Sequence, residues 1–454
     1  MKVKHTGTCL LSRLDPTNEP FTVYRFLIWP LEIDLIHSAS KRKGATMEKH
    51  YYLYHPDLGF DPDYIKPNEL PEPLSGIAMI MSSSEDLPYV TSGAKENLPS
   101  KKLTAEFSSY LSSQPVSSSE AFLKYTDFLS SKQATINVGC LCNATSALYL
   151  ALKAAGVEGG EVITTSFNYV GVLNAIIMAG ASPVFVDIQR DTWQMDFEAL
   201  KSVIGKKTRA IVLTHVNSHL DMAPLISIYK EMGLELPLIQ DASLAIGSTN
   251  SGISPGIINL GRGGCTVFSL APSKIISGLG GALVTSENLE TLKQMIVMAG
   301  QGVSGIHLEA FGGNFRINEL NASIALGQLK RRDELFSKRR RLKKLYDVRF
   351  SSIKTAKGVK PQSLSDECVP THYGIELPDS QRIAEALYRK HRIALGFWHS
   401  HHLEAIYIKK FGVPRKPMPN TESIAATACY VPFHSLLLDE DVSLICDAIE
   451  RELS

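Results

Sequence analysis

Short apolar segments alternate with segments of helical spacing along residues 136–242, and this alternation limits the possible fold more than any other feature. The run EVITT (161–165) is typical of a buried strand, whereas VGVLNAIIMAG (170–180) is typical of a helix. Elements that alternate in this way form βαβ units, so we predict an α/β fold with a mostly parallel sheet covered by helices on both faces. Ligands bind at the carboxyl ends of such strands, which makes the residues after each strand the candidates for chemistry. The other predicted strands are 136–139, 183–188, 209–216 and 236–242, and the other predicted helices are 144–156, 197–205 and 223–233.

The length of 454 residues exceeds one ordinary domain, and we predict three parts. Residues 1–86 form an N-terminal extension of unknown role, 87–335 a large domain and 336–454 a smaller C-terminal domain, with a long charged helix over 320–350 as the connection. The extension has no sustained helical or strand period, and it could be a small extra domain, an arm on the main body or a partly ordered segment. Ser117 and Glu120 form a capping box that predicts a further helix start.

The charge balance gives no reason to expect nucleic acid or an anionic membrane as the main partner, because the 47 Lys and Arg residues are nearly balanced by 46 Asp and Glu residues. We interpret the basic run KRRRLKK (338–344) as the solvated face of the connecting helix. Hydrophobic residues at 44% permit a sizeable core, yet each apolar run is far shorter than the roughly 20 residues of a membrane helix. Seven cysteines without a secretory signal indicate reduced thiols and a cytoplasmic protein.

Three predicted strands are followed by residues that can carry chemistry. Thr145 and Ser146 begin a helix after the first strand, which is a possible phosphate site, although a simple helix cap without a ligand is the better explanation of these residues taken alone. Asp241 ends the strand LPLIQ, and it could equally be a helix cap or a salt-bridge partner. Ser269 and Lys274 lie between two strand-like runs, where the lysine could simply extend into solvent.

The combination is more specific than any of these residues alone. A phosphate-binding helix start, an Asp and a Lys 33 residues after that Asp are what pyridoxal 5′-phosphate (PLP) requires on one α/β sheet. The helix anchors the phosphate, Asp241 keeps the pyridine nitrogen protonated, and Lys274 provides an amine of lowered pKa for covalent attachment. The spacing therefore predicts a PLP site.

Residues 117–335 resemble the DegT/DnrJ/StrS family of sugar aminotransferases, and a weaker match extends back to about residue 87. The resemblance implies a fold-type-I, aspartate aminotransferase-like large domain and a small α+β C-terminal domain. The matching strings are NATSALYLALKAAGVEGGEVITTSFNYVGVLNAI, ASPVFVDIQRDTWQMD, KTRAIVLTHV, LIQDASLAIGS, VFSLAPSKIISGLGGALVT and GGNFRINELNASIALGQL, with VPFHSLLLDEDVSLICDAI near the C-terminus.

The resemblance also implies roles for individual residues. Lys274 would attach the cofactor and transfer the proton, and Asp241 would bind the pyridine nitrogen. Tyr169 would stack on the ring, and Asn314 would reach the phosphate of a neighbouring subunit, so that the active site requires a homodimer. The residues implied to hold the phosphate are Thr145, Ser146 and Ser269.

Four positions depart from the family pattern. Leu244 and Ala271 replace residues that are usually polar or aromatic near the ring, Leu279 replaces a usual Glu, and Ala144 replaces a Gly. These replacements remove polar groups around the ring and the acceptor pocket, so they affect the expected substrate more than the expected cofactor.

The preferred hypothesis is an aminotransferase that moves nitrogen from L-glutamate or L-glutamine to an acceptor ketone. The acceptor is a nucleotide-linked keto-sugar or a keto-cyclitol. The alternatives are a PLP-dependent dehydratase or other elimination enzyme, and a non-catalytic paralogue that binds sugar nucleotides. A related subgroup that eliminates a hydroxyl has His in place of the Lys, so Lys274 favours transamination. His399, His401 and His402 with Glu404 match no metal motif, and we interpret them as part of a substrate pocket or of the surface.

Overall fold

The chain divides into two compact units, Met1–Thr91 and Ser92–Ser454. The predicted boundaries at residues 86 and 335 stay a prediction. The computed structural model describes residues 21–28, 31–38, 50–55, 59–60, 98–113, 136–398 and 400–453. The predicted capping box of Ser117 and Glu120 lies outside these residues.

The first unit contains an antiparallel sheet whose strands follow one another in chain order. The sequence pattern predicted no sustained strand period here. Segments such as HYYLYH are nevertheless rich in aromatic residues, which favour strands, and each strand pairs with its neighbour in sequence. The strands are β1 (Phe21–Ile28), β2 (Leu31–Ser38), β3 (His50–His55) and β4 (Gly59–Phe60).

The second unit is built around a seven-stranded sheet in the order β5-β11-β10-β9-β8-β6-β7. Strand β11 runs antiparallel to both of its neighbours, and the other six strands run in one direction. The predicted mostly parallel α/β sheet is thus confirmed. The strands are β5 (Asn137–Leu141), β6 (Glu161–Thr165), β7 (Ser182–Val186), β8 (Thr208–Thr214), β9 (Leu238–Asp241), β10 (Cys265–Ser269) and β11 (Ala282–Ser286).

Helices cover both faces of this sheet. Consecutive strand residues point to opposite faces, and the side chains on both faces are buried. Val162 and Val212 belong to one apolar cluster, whereas their neighbours Ile163 and Ile211 belong to another. The helices of this part are α1 (Pro99–Ser112), α2 (Ala144–Ala154), α3 (Val170–Met178), α4 (Phe197–Lys201), α5 (Ala223–Glu231) and α6 (Leu289–Ala299).

The predicted long helix over 320–350 is in fact two helices, α7 (Glu319–Lys330) and α8 (Arg332–Lys357). Arg331 separates them with non-helical backbone angles (φ −98°, ψ 10°). Before α7 the chain forms a short hairpin of β12 (Val303–Ser304) and β13 (His307–Leu308).

A four-stranded antiparallel sheet in the order β14-β15-β17-β16 follows α8. Its core contains the stacked rings of Tyr346, Phe350 and Tyr373. Among the residues that the structure describes, no helix is both long and apolar enough to cross a membrane. The elements are β14 (Lys360–Pro361), β15 (Tyr373–Glu376), α9 (Ser380–His391), β16 (Gly396–Phe397), α10 (Ala405–Phe411), α11 (Pro419–Thr427), β17 (Ala428–Val431) and α12 (Asp439–Glu452).

The basic run 338–344 lies on α8 as predicted, but it is not a uniformly solvated face. Arg339 is buried and donates hydrogen bonds to the carbonyl oxygens of Thr371 (3.0 Å) and Phe433 (3.3 Å). Lys343 is also buried and pairs with Asp347 at 2.8 Å. The interpretation as a solvated face was therefore wrong for these two side chains, which tie α8 to its surroundings.

Candidate active site

Asp241 and Ser269 are the last residues of two adjacent parallel strands, β9 and β10. Asp241 lies opposite Val267 in the register, and the Ala242 N–H donates to the Val267 carbonyl at 2.8 Å. The sheet thus brings together at one edge two residues that are 28 positions apart in sequence.

The Asp241 carboxylate is only 4% exposed. Its Oδ1 accepts a hydrogen bond from the Ser243 N–H at 3.0 Å. Burial raises the pKa of Asp241, while the Ser243 hydrogen bonds and the charge of Lys274 act in the opposite direction. A buried carboxylate of this kind gains stability from a cationic partner.

Lys274 lies in the turn between β10 and β11 and is half-buried. Its N–H donates to the Ala271 carbonyl at 3.0 Å, while its side chain forms no ion pair with any residue that the structure describes. Burial lowers the pKa of Lys274, and Asp241 partly counters this effect. The amine is therefore a better nucleophile at neutral pH than an exposed lysine.

The start of α2 leaves two hydroxyl groups available. Asn143 is the N-cap of this helix, because its Oδ1 accepts the Ser146 N–H at 2.8 Å. The alternative in which Thr145 or Ser146 serves as the cap is therefore wrong. Neither of their hydroxyl groups has a hydrogen-bond partner among the described residues, so both can donate to an anion at the helix N-terminus.

Tyr169 immediately precedes α3 and is 68% exposed. Two residues later, buried Gly171 lies against both Tyr169 and the start of α2. A Cβ at Gly171 would lie 2.6 Å from the Thr145 Oγ1 and 3.0 Å from the Tyr169 ring. The structure thus brings Tyr169 and Thr145 together around a residue that has no side chain.

Asn314 lies apart from this group, in the loop after β13. It is exposed, forms an isolated bridge with Gly300, and its Oδ1 accepts from the Arg316 Nε at 3.4 Å. The next residue, Phe315, accepts the Cys142 N–H at 2.8 Å through its carbonyl. The loop is therefore anchored close to the α2 start. Among the described residues, however, the Asn314 side chain forms no hydrogen bond with any other predicted site residue.

The residues that depart from the family pattern lie around the same edge. Leu244 is buried, and Ala271 and Leu279 are half-buried. Leu279 has a left-handed backbone (φ 57°), a conformation that costs a non-glycine residue about 1 kcal/mol. The apolar side chains at these positions give this site fewer polar groups than the pattern leads one to expect.

His372, which the sequence analysis did not single out, also belongs to this region. Its ring lies 4.6 Å from Tyr430 and 6.4 Å from Trp398, between ring centroids. Burial and the nearby charges of Lys274 and Arg339 lower the pKa of His372 to about 3. No sequence motif marks this residue, because it is brought to the site from the position just before β15, almost 100 positions after Lys274.

His401 and His402 are both buried, so a role on the surface is excluded for them. Among the described residues, which do not include position 399, no group of His, Cys, Asp and Glu could hold a metal ion. Both side chains contact the loop between β6 and α3, which carries Tyr169.

Comparison with known proteins agrees with this geometry. The model of the DegT/DnrJ/EryC1/StrS aminotransferase family matches residues 101–450. The chain belongs to this family. It is therefore a PLP-dependent aminotransferase, which confirms both the cofactor predicted from the residues at the strand ends and the activity implied by the resemblance.

Individual relatives within this aminotransferase family are distant in sequence and close in fold. A GDP-perosamine synthase from Vibrio cholerae is 28% identical over 346 residues, which cover 72% of this chain and 88% of the relative. The Streptococcus pneumoniae protein Spr1654 in its PLP form has a TM-score of 0.71 at 22% identity, covering 83% of this chain and 95% of that one. Helicobacter pylori PseC, an aminotransferase involved in the biosynthesis of pseudoaminic acid, has a TM-score of 0.64 at 23% identity, covering 78% and 96%.

The residues present fit the cofactor of an aminotransferase of this family. Asp241 offers a buried carboxylate to a protonated ring nitrogen, and Lys274 offers an amine whose charge is not neutralised by an ion pair among the described residues. The hydroxyl groups of Thr145 and Ser146 are available to a phosphate, and Ser269 Oγ accepts from the Ala271 N–H (3.3 Å) while its own hydrogen is free to donate. When bound, PLP supplies an electron-withdrawing ring that stabilises negative charge on the substrate carbon.

Proposed function

We propose that this aminotransferase transfers nitrogen from L-glutamate or L-glutamine to a nucleotide-linked keto-sugar. The observation that carries the proposal is that Asp241, at the end of β9, and Lys274, in the turn after the adjacent strand β10, lie near enough for the charge of each to moderate the effect of burial on the pKa of the other. A buried carboxylate near a half-buried amine that forms no ion pair among the described residues serves no evident packing purpose, whereas both groups are needed for transamination.

The roles follow from the position of each group. Asp241 holds the proton on the ring nitrogen, because an anion in a site shielded from water strongly favours a protonated partner. Lys274, with its lowered pKa, is able to accept and return a proton near neutral pH. Thr145, Ser146 and Ser269 bind the phosphate and thereby fix the ring relative to Lys274.

The proposed acceptor draws on the named relatives. Several curated relatives are GDP-perosamine synthases, including those of Vibrio cholerae and Caulobacter vibrioides. As their names state, these relatives make an amino-sugar that is linked to a nucleotide. Leu244, Ala271 and Leu279 place apolar side chains after the strand ends that carry Asp241 and Ser269, which favours a sugar that has lost one or more hydroxyl groups.

We also propose that the active form is a homodimer in which Asn314 contributes to the partner's phosphate site. The support is an apolar surface on the hairpin and loop that precede Asn314, where Ile306 is 93% exposed and Phe311 is 96% exposed. Exposed apolar side chains this close together are typical of a protein–protein interface. A second copy of the chain is the occupant that would complete the site.

Cytoplasmic localisation and the division at residues 86 and 335 belong to the same proposal. The free thiols of the described cysteines, such as Cys142 and Cys368, support a reducing compartment.

Nitrogen transfer tests the proposal directly. The purified protein is incubated with ¹⁵N-labelled L-glutamate or L-glutamine and a set of nucleotide-linked keto-sugars, and the products are analysed by mass spectrometry. We expect ¹⁵N in the sugar product, its loss in Lys274→Ala, and full retention in the control Lys293→Ala, an exposed lysine on α6. A product that has lost water and gained no nitrogen would contradict transamination and support elimination.

A further inference from the structure

The loop that carries Tyr169 is held by two histidines from a distant part of the chain. We propose that His401 and His402, called here the histidine pair, are positioning residues that fix this loop so that the Tyr169 ring can stack on the cofactor. The inference rests on the proposed role of Tyr169 and deepens it.

His401 contacts the loop at its third residue. The His401 Nε2 lies 2.7 Å from the carbonyl oxygen of Asn168. A carbonyl oxygen can only accept, so Nε2 carries the hydrogen and donates it. The His401 N–H adds a longer bond of 3.4 Å to the carbonyl oxygen of Ser166.

His402 contacts the same loop at its first residue. The Ser166 Oγ lies 2.7 Å from the His402 Nδ1 and also accepts the His402 backbone N–H at 3.0 Å. On the other side of the ring, Nε2 faces a Glu422 oxygen at 3.3 Å. The carboxylate requires the hydrogen on Nε2, so in the neutral ring Nδ1 accepts the hydroxyl hydrogen of Ser166.

Asn168 connects these contacts to Tyr169 through its own hydrogen bonds. Its Oδ1 accepts the Tyr169 N–H at 2.7 Å, and its Nδ2 donates to the Thr214 Oγ1 at 2.8 Å, at the end of β8. The peptide group of Asn168 is therefore held by His401 and its side chain by the large sheet. Both attachments act within one residue of Tyr169 and leave few backbone orientations open to it.

Tyr169 itself needs such support. Its ring is 68% exposed, so packing contributes little to holding it in place. Phe167, between the two anchored residues, is fully buried, stacks on Trp398 at 5.3 Å and forms an isolated bridge with Ser400. The loop is thus fixed from one side by Trp398 and residues 400–402, and the exposed Tyr169 side chain lies at the other end of the loop.

Substitutions at His401 separate positioning from simple packing. His401→Phe keeps the ring volume and removes the donor, whereas His401→Gln restores an amide N–H at nearly the reach of Nε2. The control is His391→Phe on α9. The His391 Nε2, like that of His401, lies within hydrogen-bond distance of an oxygen, here Glu452 Oε1 at 3.3 Å, but His391 is distant from the loop in sequence and forms no hydrogen bond with it among the described residues. All variants are made in the full-length chain.

Two measurements decide the matter. Hydrogen–deuterium exchange of the peptide that spans residues 166–172 is followed without cofactor, and we expect roughly fivefold faster exchange in His401→Phe, near wild-type exchange in His401→Gln and no change in His391→Phe. With PLP added, we expect the induced circular dichroism of the cofactor band to fall in His401→Phe and to recover in His401→Gln, with PLP affinity weakened by about fivefold.

Each outcome has a definite meaning. Unchanged exchange and unchanged dichroism in His401→Phe would overturn the positioning role while leaving the aminotransferase intact. Loss of the signal in His401→Gln to the same extent as in His401→Phe would also overturn it, because packing rather than the donor would then be responsible. A wild-type protein that takes up no PLP would contradict the proposed site, whereas the exchange comparison would still decide whether the histidine pair fixes the loop.

Discussion

Gly171→Ala is the substitution whose effect on the cofactor site can be worked out most directly from the structure. The added Cβ would lie 2.6 Å from the Thr145 Oγ1 and 3.0 Å from two carbon atoms of the Tyr169 ring. Comfortable contacts between such atoms lie at about 3.5 Å or more, so the Thr145 hydroxyl must move by roughly 0.9 Å and the Tyr169 ring by roughly 0.5 Å. Both partners belong to the proposed cofactor site, and the displacement therefore falls on it.

The energies separate the effect on folding from the effect on binding. Overpacking costs about 1 to 3 kcal/mol, and replacing a helical glycine by alanine stabilises the protein by up to about 1 kcal/mol, so the free energy of unfolding should fall by at most about 3 kcal/mol. A misplaced Thr145 hydroxyl loses a hydrogen bond to a charged phosphate, worth about 1.5 to 3 kcal/mol. The Kd for PLP should accordingly rise by roughly 10- to 100-fold.

The assay is a PLP titration of the cofactor-free protein, followed by visible absorption, beside urea unfolding of the same samples. Gly327→Ala is the matched control, because Gly327 lies in helix α7 and an added Cβ there meets nothing within 4 Å. We expect that control to bind PLP like the wild type and to be slightly more stable. Wild-type PLP affinity in Gly171→Ala, with Thr145→Val weakened, would refute the reasoning, because the clash would then be absorbed elsewhere.

Three further predictions concern charge, pH and assembly. Asp241→Asn keeps the acceptor for the Ser243 N–H and removes a buried charge, so turnover should fall at least about 100-fold in the nitrogen-transfer assay, while urea unfolding shows equal or greater stability. Burial lowers the pKa of His215 from 6.5 to about 4, so the unfolded chain alone binds this proton between those values. The stability that this residue provides is complete above pH 6.5 and should fall by about 2 kcal/mol on acidification to about pH 5, measured by urea unfolding. Phe311→Ser should shift the protein from dimer to monomer in sedimentation experiments, whereas Val348→Ser, an exposed position on α8, should not.

Each of these predictions can fail in a recognisable way. Full turnover in Asp241→Asn would remove the ring-nitrogen role from Asp241. A His215→Gln variant with the same pH slope as the wild type would assign the acid sensitivity to other groups. A Phe311→Ser protein that remains dimeric would place the interface away from the hairpin.

Much of the large sheet could be predicted because its signals are local. Strand β6 has the predicted bounds, since EVITT is a run of mostly β-branched residues that follows Gly160, and helices α2 and α3 begin at the predicted residues. Asp241 and Lys274 could be found because the order of chemical groups along an α/β chain reflects their arrangement at one sheet edge. The Asn143 cap was also open to prediction, because Asn is among the preferred N-cap residues.

The remaining features depend on contacts that a local pattern does not contain. The contact between His402 and Ser166 joins residues 236 positions apart, and nothing near either residue in sequence indicates the other. The break at Arg331 is equally hidden, because the charged residues on both sides favour a helix and only packing decides where one axis ends. The strands of residues 21–60 were missed although LEIDL (31–35) alternates apolar and acidic residues, because Pro20, Pro30 and Pro56 leave only short segments between them.

The position of β5 has a consequence for how the chain folds. Strand β5 is the first of the seven-stranded sheet to be synthesised, yet it lies at the edge, and within the described residues its sheet partner is β11, the last strand of that sheet. Cys140 can therefore pair with Leu283 in the sheet only after more than 140 further residues have been synthesised. During translation, β6, β7 and β8 can already pair among themselves while β5 stays exposed, so the helix start that carries Thr145 is completed only near the end of sheet assembly.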